Sequence, residues 1–282
     1  IIGDQDNKEF NIIKKIVKNK KIKKLTISRK FGDITVQENK YDKNKQIIKI
    51  GIGSKNYILK IPLVGYFQIK NLLMSVLAAT SCGLKFKNIF KQIHKIQPVP
   101  GRLERVAQLK NNSNILIDFA HTPDALEQSL IAIKKQFKKR ILLVVGCGGD
   151  RDKKKRIMIG KIARKYCKKV FVTDDNPRNE SPEKIRSEII KGCKNISVNI
   201  KSRKLAIKNA INELGYNEVL LVAGKGHETT QNYRDKIINF SDKKVIKEIV
   251  KKSKFFGINK NWTGEIIKNT FKKNNIKKIN FS

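Results

Sequence analysis

Residues 141 to 178 read ILLVVGCGGDRDKKKRIMIGKIARKYCKKVFVTDDNPR and decide the fold. Ile141 to Val145 form a continuous apolar run, which is typical of a strand buried on both faces, and the glycines of GCGG end it. A helix is predicted from about Lys155 to Tyr166, and a second buried strand, Val170 to Thr173, runs into the polar turn DDNPR. The predicted helix has an apolar stripe of Ile157, Met158, Ile162 and Ala163. This order predicts a right-handed parallel unit with both turns at the carboxyl edge of the sheet, where ligands bind.

Arginine is concentrated in motif-like turns. Of the 63 basic residues of the chain, 11 are arginine. Lysine cannot replace a planar guanidinium that binds a carboxylate or phosphate in two places, so retained arginine indicates geometric recognition. Acids and guanidinium groups in one cleft suit a zwitterionic ligand. The alternative is that glycine and aspartate after a strand are ordinary turn formers, and a lone GxGG is weak evidence for a ligand. The arginines in such turns are Arg102, Arg105, Arg151, Arg156 and Arg178.

Three motifs in order, GCGGDRDKKKR, TDDNPR and AGKGHETTQ, resemble those of the Mur ligases that add the third residue to the peptidoglycan stem peptide. The segments GRLERV and DFAHTPDAL strengthen the resemblance, which covers roughly residues 1 to 252. It implies a cytoplasmic, ADP-forming amide-bond ligase of peptidoglycan precursor synthesis. ATP would phosphorylate the terminal carboxylate of UDP-N-acetylmuramoyl-L-alanyl-D-glutamate, and an amine of meso-2,6-diaminopimelate would attack the acyl phosphate.

The same resemblance implies that part of the enzyme is missing from this chain. The family's phosphate-binding loop GxxGKT, its Mg²⁺ ligands and its modified lysine are expected upstream of Ile1, so no catalytic or metal-binding residue is assigned here. Residues 1–100 are expected to be the C-terminal part of the central ATP-binding domain, and residues 101–252 a Rossmann-like, doubly wound α/β domain. Residues 253–282 are interpreted as a tail or the beginning of a further domain.

In the first of these domains the pattern predicts a helix to about Lys18 and an apolar helix from Gln68 to Cys82, with Gly83 as its stop. A further helix is predicted from Lys87 to Ile96, followed by the proline-rich linker at residues 97–101. Four short strands are expected to form a meander, namely Lys23–Ser28, Ile34–Glu38, Gln46–Gly51 and Tyr57–Ile61.

In the second domain the alternation of strands and helices continues to Lys251. The predicted strands are Ile115–Phe119, Ile196–Ile200, Glu218–Ala223 and Ile237–Phe240, and the predicted helices are Glu183–Lys191, Arg203–Leu214 and Lys243–Lys251.

The resemblance assigns the ATP contacts to residues near the domain joint. In the family, the helix after GxFN carries an asparagine near the adenine, and Asn71 holds that position here, although Gln68 departs from the first Asn of the pattern. Each residue also has an alternative interpretation in which it serves only the structure. A lone histidine, for example, is more often a structural hydrogen-bonding group. Thr122 is predicted to cap a helix that has Pro123 in its first turn. The full set of ATP contacts is Asn71, Arg102, Asp118 and His121.

The resemblance also assigns the amino-acid substrate, since the DNPR form accompanies diaminopimelate and enzymes that add lysine depart from it. Diaminopimelate is lysine with a second carboxylate at its far end. A guanidinium that binds this carboxylate in two places would favour diaminopimelate over lysine. Arg178 is expected to clamp this carboxylate with help from Arg156. The other expected contacts are Asp175, Asn176, Pro177, Gly224 and Glu228.

The composition alone excludes few classes of function. The net charge of +39 invites a nucleic-acid hypothesis, but lysine is spread along the whole chain and no nucleic-acid-binding motif is present. The sequence contains no run of about 18 apolar residues and no signal sequence, and its first residue is Ile, which leaves an upstream signal open. The four cysteines lack the spacing of a zinc site or a disulfide framework.

Two other functions stay open beside an amide-bond ligase. One is a nucleotide- or amino-acid-binding module without turnover. The other is a dinucleotide-dependent oxidoreductase, which is the weaker hypothesis because GCGGD lacks the last glycine of GxGxxG. A monomer is expected.

Overall fold

The computed structural model describes residues 1–7, 9–18, 20, 22–42 and 45–255. Apart from residues 253–255, which end the last helix, the expected tail lies outside the described residues. The strands are β1 Ile2–Asp4, β2 Leu25–Ser28, β3 Ile34–Asp42, β4 Lys45–Ile52, β5 Lys55–Ile61, β6 Glu104–Gln108, β7 Asn114–Asp118, β8 Ile141–Val145, β9 Lys169–Val172, β10 Ser197–Asn199, β11 Val219–Ala223, β12 Thr230–Tyr233 and β13 Lys236–Asn239. The α-helices are α1 Phe10–Lys18, α2 Tyr66–Ser81, α3 Phe86–Gln92, α4 Pro123–Phe137, α5 Lys154–Tyr166, α6 Pro182–Cys193, α7 Arg203–Asn212 and α8 Asp242–Phe255.

The N-terminal part of the chain builds a five-stranded sheet in the order β1-β2-β3-β4-β5. The expected meander is correct only for β3, β4 and β5, which pair antiparallel. β1 and β2 pair parallel to each other, and β2 pairs parallel to β3. The error has a physical reason, because a three-residue strand carries too little periodicity to show its existence or its direction. Helix α2 covers this sheet with fully buried side chains, among them Ile69, Leu73 and Leu77.

The second sheet has six strands in the order β10-β9-β8-β11-β7-β6. Five of them are parallel, and β6 pairs antiparallel to β7 at the edge. One face packs on α4, α5 and α6 through one apolar cluster, and the other face packs on α7 and α8 through a second. The predicted doubly wound α/β fold is therefore confirmed. β6 and β12 were missed, since both are short and largely polar.

The two sheets meet through specific contacts at the start of α2. The backbone N–H of Gly65 donates to Oε1 of Gln136 on α4 at 3.1 Å, and Nε2 of Gln68 donates to the carbonyl of Arg102 at 3.0 Å. Val64 is buried in the core of the second sheet. The beginning of α2 is thus docked on the α/β unit, close to the residues expected to bind ATP.

The strand order positions the candidate site. β9, β8, β11 and β7 are neighbours, so the loops that follow their carboxyl ends converge on one edge of the sheet. Within the described residues, no helix is long and apolar enough to cross a bilayer.

Candidate functional site

A cleft of about 600 Å³ opens at this edge of the second sheet. Its walls come from the loops after β7, β8, β9 and β11, together with the beginning of α5. The residues that line it are Phe119, His121, Thr122, Pro123, Gly146, Cys147, Gly148, Arg151, Asp152, Lys155, Met158, Asp175, Asn176, Arg178, Gly224 and Glu228. The mixture of carboxylates, guanidinium groups and exposed backbone is the one expected from the sequence.

The glycines of the turn after β8 allow this turn to contact the turn after β9. A Cβ atom on Gly149 would overlap the carbonyl oxygen of Pro177. The N–H of Gly149 donates to the carbonyl of Asn176 at 2.9 Å, and the carbonyl of Gly149 accepts from Nη1 of Arg178 at 2.8 Å. The glycines therefore join two polar turns into one wall, and close approach of backbone to backbone is their immediate role.

The acidic end of the cleft is formed by Asp175 and Glu228. Nδ2 of Asn176 donates to Oε2 of Glu228 at 3.0 Å, and the buried ammonium of Lys225 donates to the same oxygen at 2.8 Å. Burial of Glu228 acts to raise its pKa, but the hydrogen bond and charge of Lys225 and the amide of Asn176 bring the pKa below its ordinary value. Glu228 is therefore an anion at neutral pH.

Two guanidinium groups, from Arg178 and Arg151, face the cleft. Arg178 has a left-handed backbone with φ of 52°. Its N–H donates to the carbonyl of Asn232 at 3.1 Å and its carbonyl accepts from the N–H of Arg234 at 2.9 Å, so the β12–β13 hairpin holds this conformation. Backbone held in this sparsely populated region is a feature of ligand-binding positions.

The expectation that Arg156 helps to clamp a substrate carboxylate is wrong in this structure. The Arg156 side chain is 0% exposed, and its guanidinium donates to Glu180 from Nη1 at 3.0 Å and from Nη2 at 2.8 Å, and to Glu188 from Nη1 at 2.8 Å. The helix phase explains the error. Ile157 and Met158 were expected in the buried stripe but are exposed, whereas Arg156, Ile159, Gly160 and Ala163 form the buried face of α5.

Neither Arg151 nor Lys225 was assigned to the site by the sequence analysis. Arg151 lies at the tip of the turn after β8 and lines the cleft in place of Arg156. Its position directly after Gly149-Asp150, before the helix begins, is the signal that distinguishes it. No local signal in the sequence distinguishes Lys225 from an ordinary residue of a glycine turn, because its partner Asn176 lies 49 positions away in the chain.

The remaining substrate-contact predictions are placed as follows. Asp175, Asn176, Arg178, Gly224 and Glu228 line the cleft together. Pro177 is buried behind the wall, where its carbonyl faces Gly149. Gly224 has φ of +111°, and a Cβ atom there would lie 2.7 Å from Oδ2 of Asp175, so glycine is required at this position. Contact of these residues with a substrate stays a prediction.

The residues expected to bind ATP are divided between two environments. The Arg102 guanidinium lies 4.6 Å from the centre of the Phe119 ring, and the His121 ring centre lies 4.8 Å from it. Asn71 is exposed on α2. Thr122 caps α4 as predicted, since its Oγ1 accepts from the N–H of Ala125 at 3.3 Å.

Asp118 differs from these residues because its carboxylate is buried and both of its oxygens accept hydrogen bonds from the protein. Oδ1 accepts from the N–H of Leu103 at 3.3 Å and from that of Phe119 at 2.8 Å, and Oδ2 accepts from Ser129. Burial raises the pKa of Asp118 above its ordinary value, against the lowering effect of these bonds. Its side chain therefore fixes the loops that carry Arg102 and Phe119, and it does not face the cleft.

Two parts of the chain match domains of a known protein family. Residues 1–79 match the Mur ligase middle domain, and residues 101–226 match the glutamate ligase domain of Mur ligases. A UDP-N-acetylmuramoyl-L-alanyl-D-glutamate--2,6-diaminopimelate ligase from Rickettsia montanensis is 39% identical over 253 residues, which are 89% of this chain and 52% of that protein. The chain spans about half the length of the curated relatives that it matches.

Solved structures show the same fold. The structure of a UDP-N-acetylmuramoyl-L-alanyl-D-glutamate--2,6-diaminopimelate ligase matches with a TM-score of 0.65 and 27% identity, over 89% of this chain and 53% of that one. The MurF ligase from Thermotoga maritima in complex with ADP matches with a TM-score of 0.61 at 17% identity, over 89% and 53% of the two chains, which supports the fold alone.

Proposed function

The chain belongs to the Mur ligase family, and on that premise we propose that it is the substrate-selecting part of an ADP-forming amide ligase. The proposed reaction joins meso-diaminopimelate to UDP-N-acetylmuramoyl-L-alanyl-D-glutamate. One observation carries the proposal. Carboxylates of Asp175 and Glu228 and guanidinium groups of Arg151 and Arg178 line the same cleft, which is the pattern that receives an ammonium and a carboxylate on one carbon.

The distal end of diaminopimelate is the part of the substrate that this cleft recognises. Arg178 is already oriented by its bond to the carbonyl of Gly149, and its other guanidinium N–H groups, which donate to no acceptor among the described residues, are left for a carboxylate. Arg151 supplies a second guanidinium from the opposite turn. Lysine has the same length but lacks this carboxylate, so it would leave both guanidinium groups without their partner.

Within the whole reaction, ATP converts the terminal carboxylate of the nucleotide-linked dipeptide to an acyl phosphate and leaves as ADP. The free amine at the other end of diaminopimelate attacks the acyl carbon, and inorganic phosphate leaves. The residues of this chain bind and orient the amino acid, so that the amine meets the acyl carbon in a productive geometry.

For ATP we infer contacts from Arg102, His121 and Asn71, which lie on the loops and the helix at the joint between the two sheets. Phe119 holds the first two in place through its ring. Asp118 acts through its hydrogen bonds to the same loops. Within the described residues no group of three or more histidine, cysteine, aspartate or glutamate side chains could hold a metal ion. We also infer a monomer that acts in the cytoplasm, where ATP and nucleotide-linked precursors are made.

The test of the clamp is Arg178→Ala in the full-length protein, assayed for phosphate release with diaminopimelate and with lysine. We expect kcat/KM for diaminopimelate to fall about a hundredfold, because the loss of a charged hydrogen bond costs about 2–3 kcal/mol, whereas the low rate with lysine stays the same. Arg164→Ala, on the exposed face of α5, is the matched control. If Arg178→Ala keeps the wild-type preference for diaminopimelate over lysine, Arg178 does not bind the distal carboxylate. Absence of phosphate release with every amino acid would instead favour a binding module without turnover.

A further inference from the structure

A buried cation, Lys225, lies at the acidic end of the cleft. We propose that Lys225 is the positioning residue that makes this end a receptor for an ammonium group. The proposal rests on the proposed function and extends it to a residue that the substrate does not touch. Lys225 is 0% exposed, so its ammonium is removed from bulk water and acts on the cleft only through the side chains that it contacts.

The contacts of Lys225 are made with the residues that line the cleft. Its Nζ lies 2.8 Å from Oε2 of Glu228, 3.1 Å from Oδ1 of Asn176 and 3.7 Å from Oδ1 of Asp175. An ammonium has three N–H donors, and two of those of Lys225 form hydrogen bonds with side chains of the cleft. Lys225 therefore ties the turn after β9 to the turn after β11 at the point where the ligand would enter.

The bond to Lys225 determines which atom of Asn176 faces which partner. Oδ1 accepts from Lys225 and also from the N–H of Asn232 at 3.1 Å, and so Nδ2 must point to Glu228, to which it donates at 3.0 Å. An amide rotated by 180° would place its NH₂ group against an ammonium and an N–H group. Lys225 thus sets the orientation of the amide in the candidate site.

The same arrangement leaves carboxylate oxygens for a ligand. Both bonds to Glu228 reach Oε2, and its Oε1 has no hydrogen-bond partner among the residues that the structure describes. The carboxylate of Asp175 accepts no hydrogen bond within the described part of the chain, although it lies between two cations, with Nη1 of Arg203 at 3.9 Å from its Oδ2. These oxygens are anionic and unfilled, which is what an incoming ammonium requires.

The second cation, Arg203, serves a different purpose. It is 0% exposed and is bound to Asp242 on α8 by Nε and Nη2, both at 2.8 Å, and to the carbonyl of Ala223 at 2.9 Å. Arg203 is therefore largely satisfied by its own partner, whereas all the partners of Lys225 among the described residues lie at the cleft. This difference singles out Lys225 as the cation that organises the cleft.

The experiment compares Lys225→Met and Lys225→Gln with the wild type in the full-length protein. Glutamine keeps a donor and removes the charge, whereas methionine removes both. We expect KM for diaminopimelate to rise about tenfold to a hundredfold in Lys225→Met and by less in Lys225→Gln, with kcat within about twofold and KM for ATP unchanged. A residue that only stabilises the fold would not raise KM for one substrate alone.

The pH profile gives a second measurement. The charged groups that face Glu228 are Lys225, Asp175, Arg178 and Arg203. Without Lys225, the carboxyl of Glu228 should protonate at a higher pH, so kcat/KM for diaminopimelate should decline earlier as the pH falls. Lys204→Met, an exposed lysine on α7, is the control and should keep the profile of the wild type.

A direct titration separates failure of this proposal from failure of the proposed function. The Glu228 carboxyl is followed by ¹³C NMR in the chain itself and assigned with Glu228→Gln, which changes a side chain that is 33% exposed. The proposal requires a pKa below the ordinary value in the wild type and a higher one in Lys225→Met. A Glu228 pKa at or above its ordinary value in the wild type overturns the proposal, whether or not the full-length protein ligates and even if neither Lys225 variant folds.

Discussion

Two arginines of one segment, Arg151 and Arg156, are five positions apart and have opposite environments. Arg151 lies on the turn before α5 and faces the cleft, whereas Arg156 is the third residue of the helix and is completely buried. Chemistry alone does not separate them, because both carry the same fork of donors. Their position relative to the beginning of the helix decides which one meets a ligand and which one meets internal glutamates.

At this scale we predict that Arg151→Ala weakens the recognition of diaminopimelate without unfolding the protein. Arg151 is exposed, and its one described hydrogen bond runs from Nη1 to the carbonyl of the neighbouring Asp150 at 2.9 Å. We expect kcat/KM for diaminopimelate to fall about tenfold to a hundredfold, in line with the loss of one charged contact, and the melting temperature to stay the same. Kinetic assays and thermal unfolding on one preparation check both statements. A rate equal to that of the wild type would remove Arg151 from the site.

At the scale of elements, the buried ion pairs of Arg156 join α5 to α6 and to the turn before α6. Glu180 also accepts from the N–H of Asp150 at 2.6 Å, so the same carboxylate holds the turn that carries Arg151. The hydrogen bonds of Arg156 bring the pKa of Glu180 to about 2, against the opposing effect of burial. Because this pKa is depressed, the stability that the pair contributes is fully present at neutral pH. It is lost only as the pH falls below the ordinary glutamate range toward about 2.

We predict that Arg156→Met destabilises the protein by about 3 kcal/mol at pH 7, because it leaves two glutamates in a partly buried place without their cation. Urea unfolding measures the change in the free energy of unfolding. Arg164→Met on the exposed face of the same helix is the control and should change it little. Adding Glu180→Gln and Glu188→Gln to Arg156→Met should restore part of the loss. If Arg156→Met alone is as stable as the wild type, the ion pairs of Arg156 do not stabilise the packing of α5 against α6.

At the scale of the whole molecule, the second sheet is a complete doubly wound unit, and its two faces are covered by α4 to α6 and by α7 and α8. The cleft lies in this unit, on the side that faces the beginning of α2. The amino-acid-binding and ATP-binding predictions therefore fall on loops that share one edge. On these predictions, the amino acid and the nucleotide would bind at adjacent places.

We predict that residues 1–282 alone fold in the α/β unit and do not turn over ATP. The sequence contains no GxxGKT loop, and phosphoryl transfer depends on groups that position the phosphates. Circular dichroism and cooperative thermal unfolding should show the folded unit, while a phosphate-release assay with diaminopimelate should stay at background. Measurable turnover by this chain would contradict the assignment of the phosphate loop to another segment.

The sequence by itself determined the α/β unit and the loops that form the cleft. Short apolar runs bounded by turn residues, such as Ile141–Val145, are typical of strands buried on both faces, and strands of this kind in alternation with helices form a parallel sheet whose carboxyl edge collects the loops. The motifs at the ends of those strands were therefore placed correctly. The motifs indicate five residues that line the same cleft in the structure, namely Asp175, Asn176, Arg178, Gly224 and Glu228.

Only the tertiary structure decided which side chains face inward. The phase of α5 depends on its packing against α4 and α6, and that packing buried Arg156 and exposed Met158. The direction of β1 and β2 depends on pairing between strands, which local periodicity does not report. The role of Lys225 is a long-range property for the same reason, because its partner Asn176 lies 49 positions away in the chain and becomes its neighbour only when β9 and β11 share a sheet.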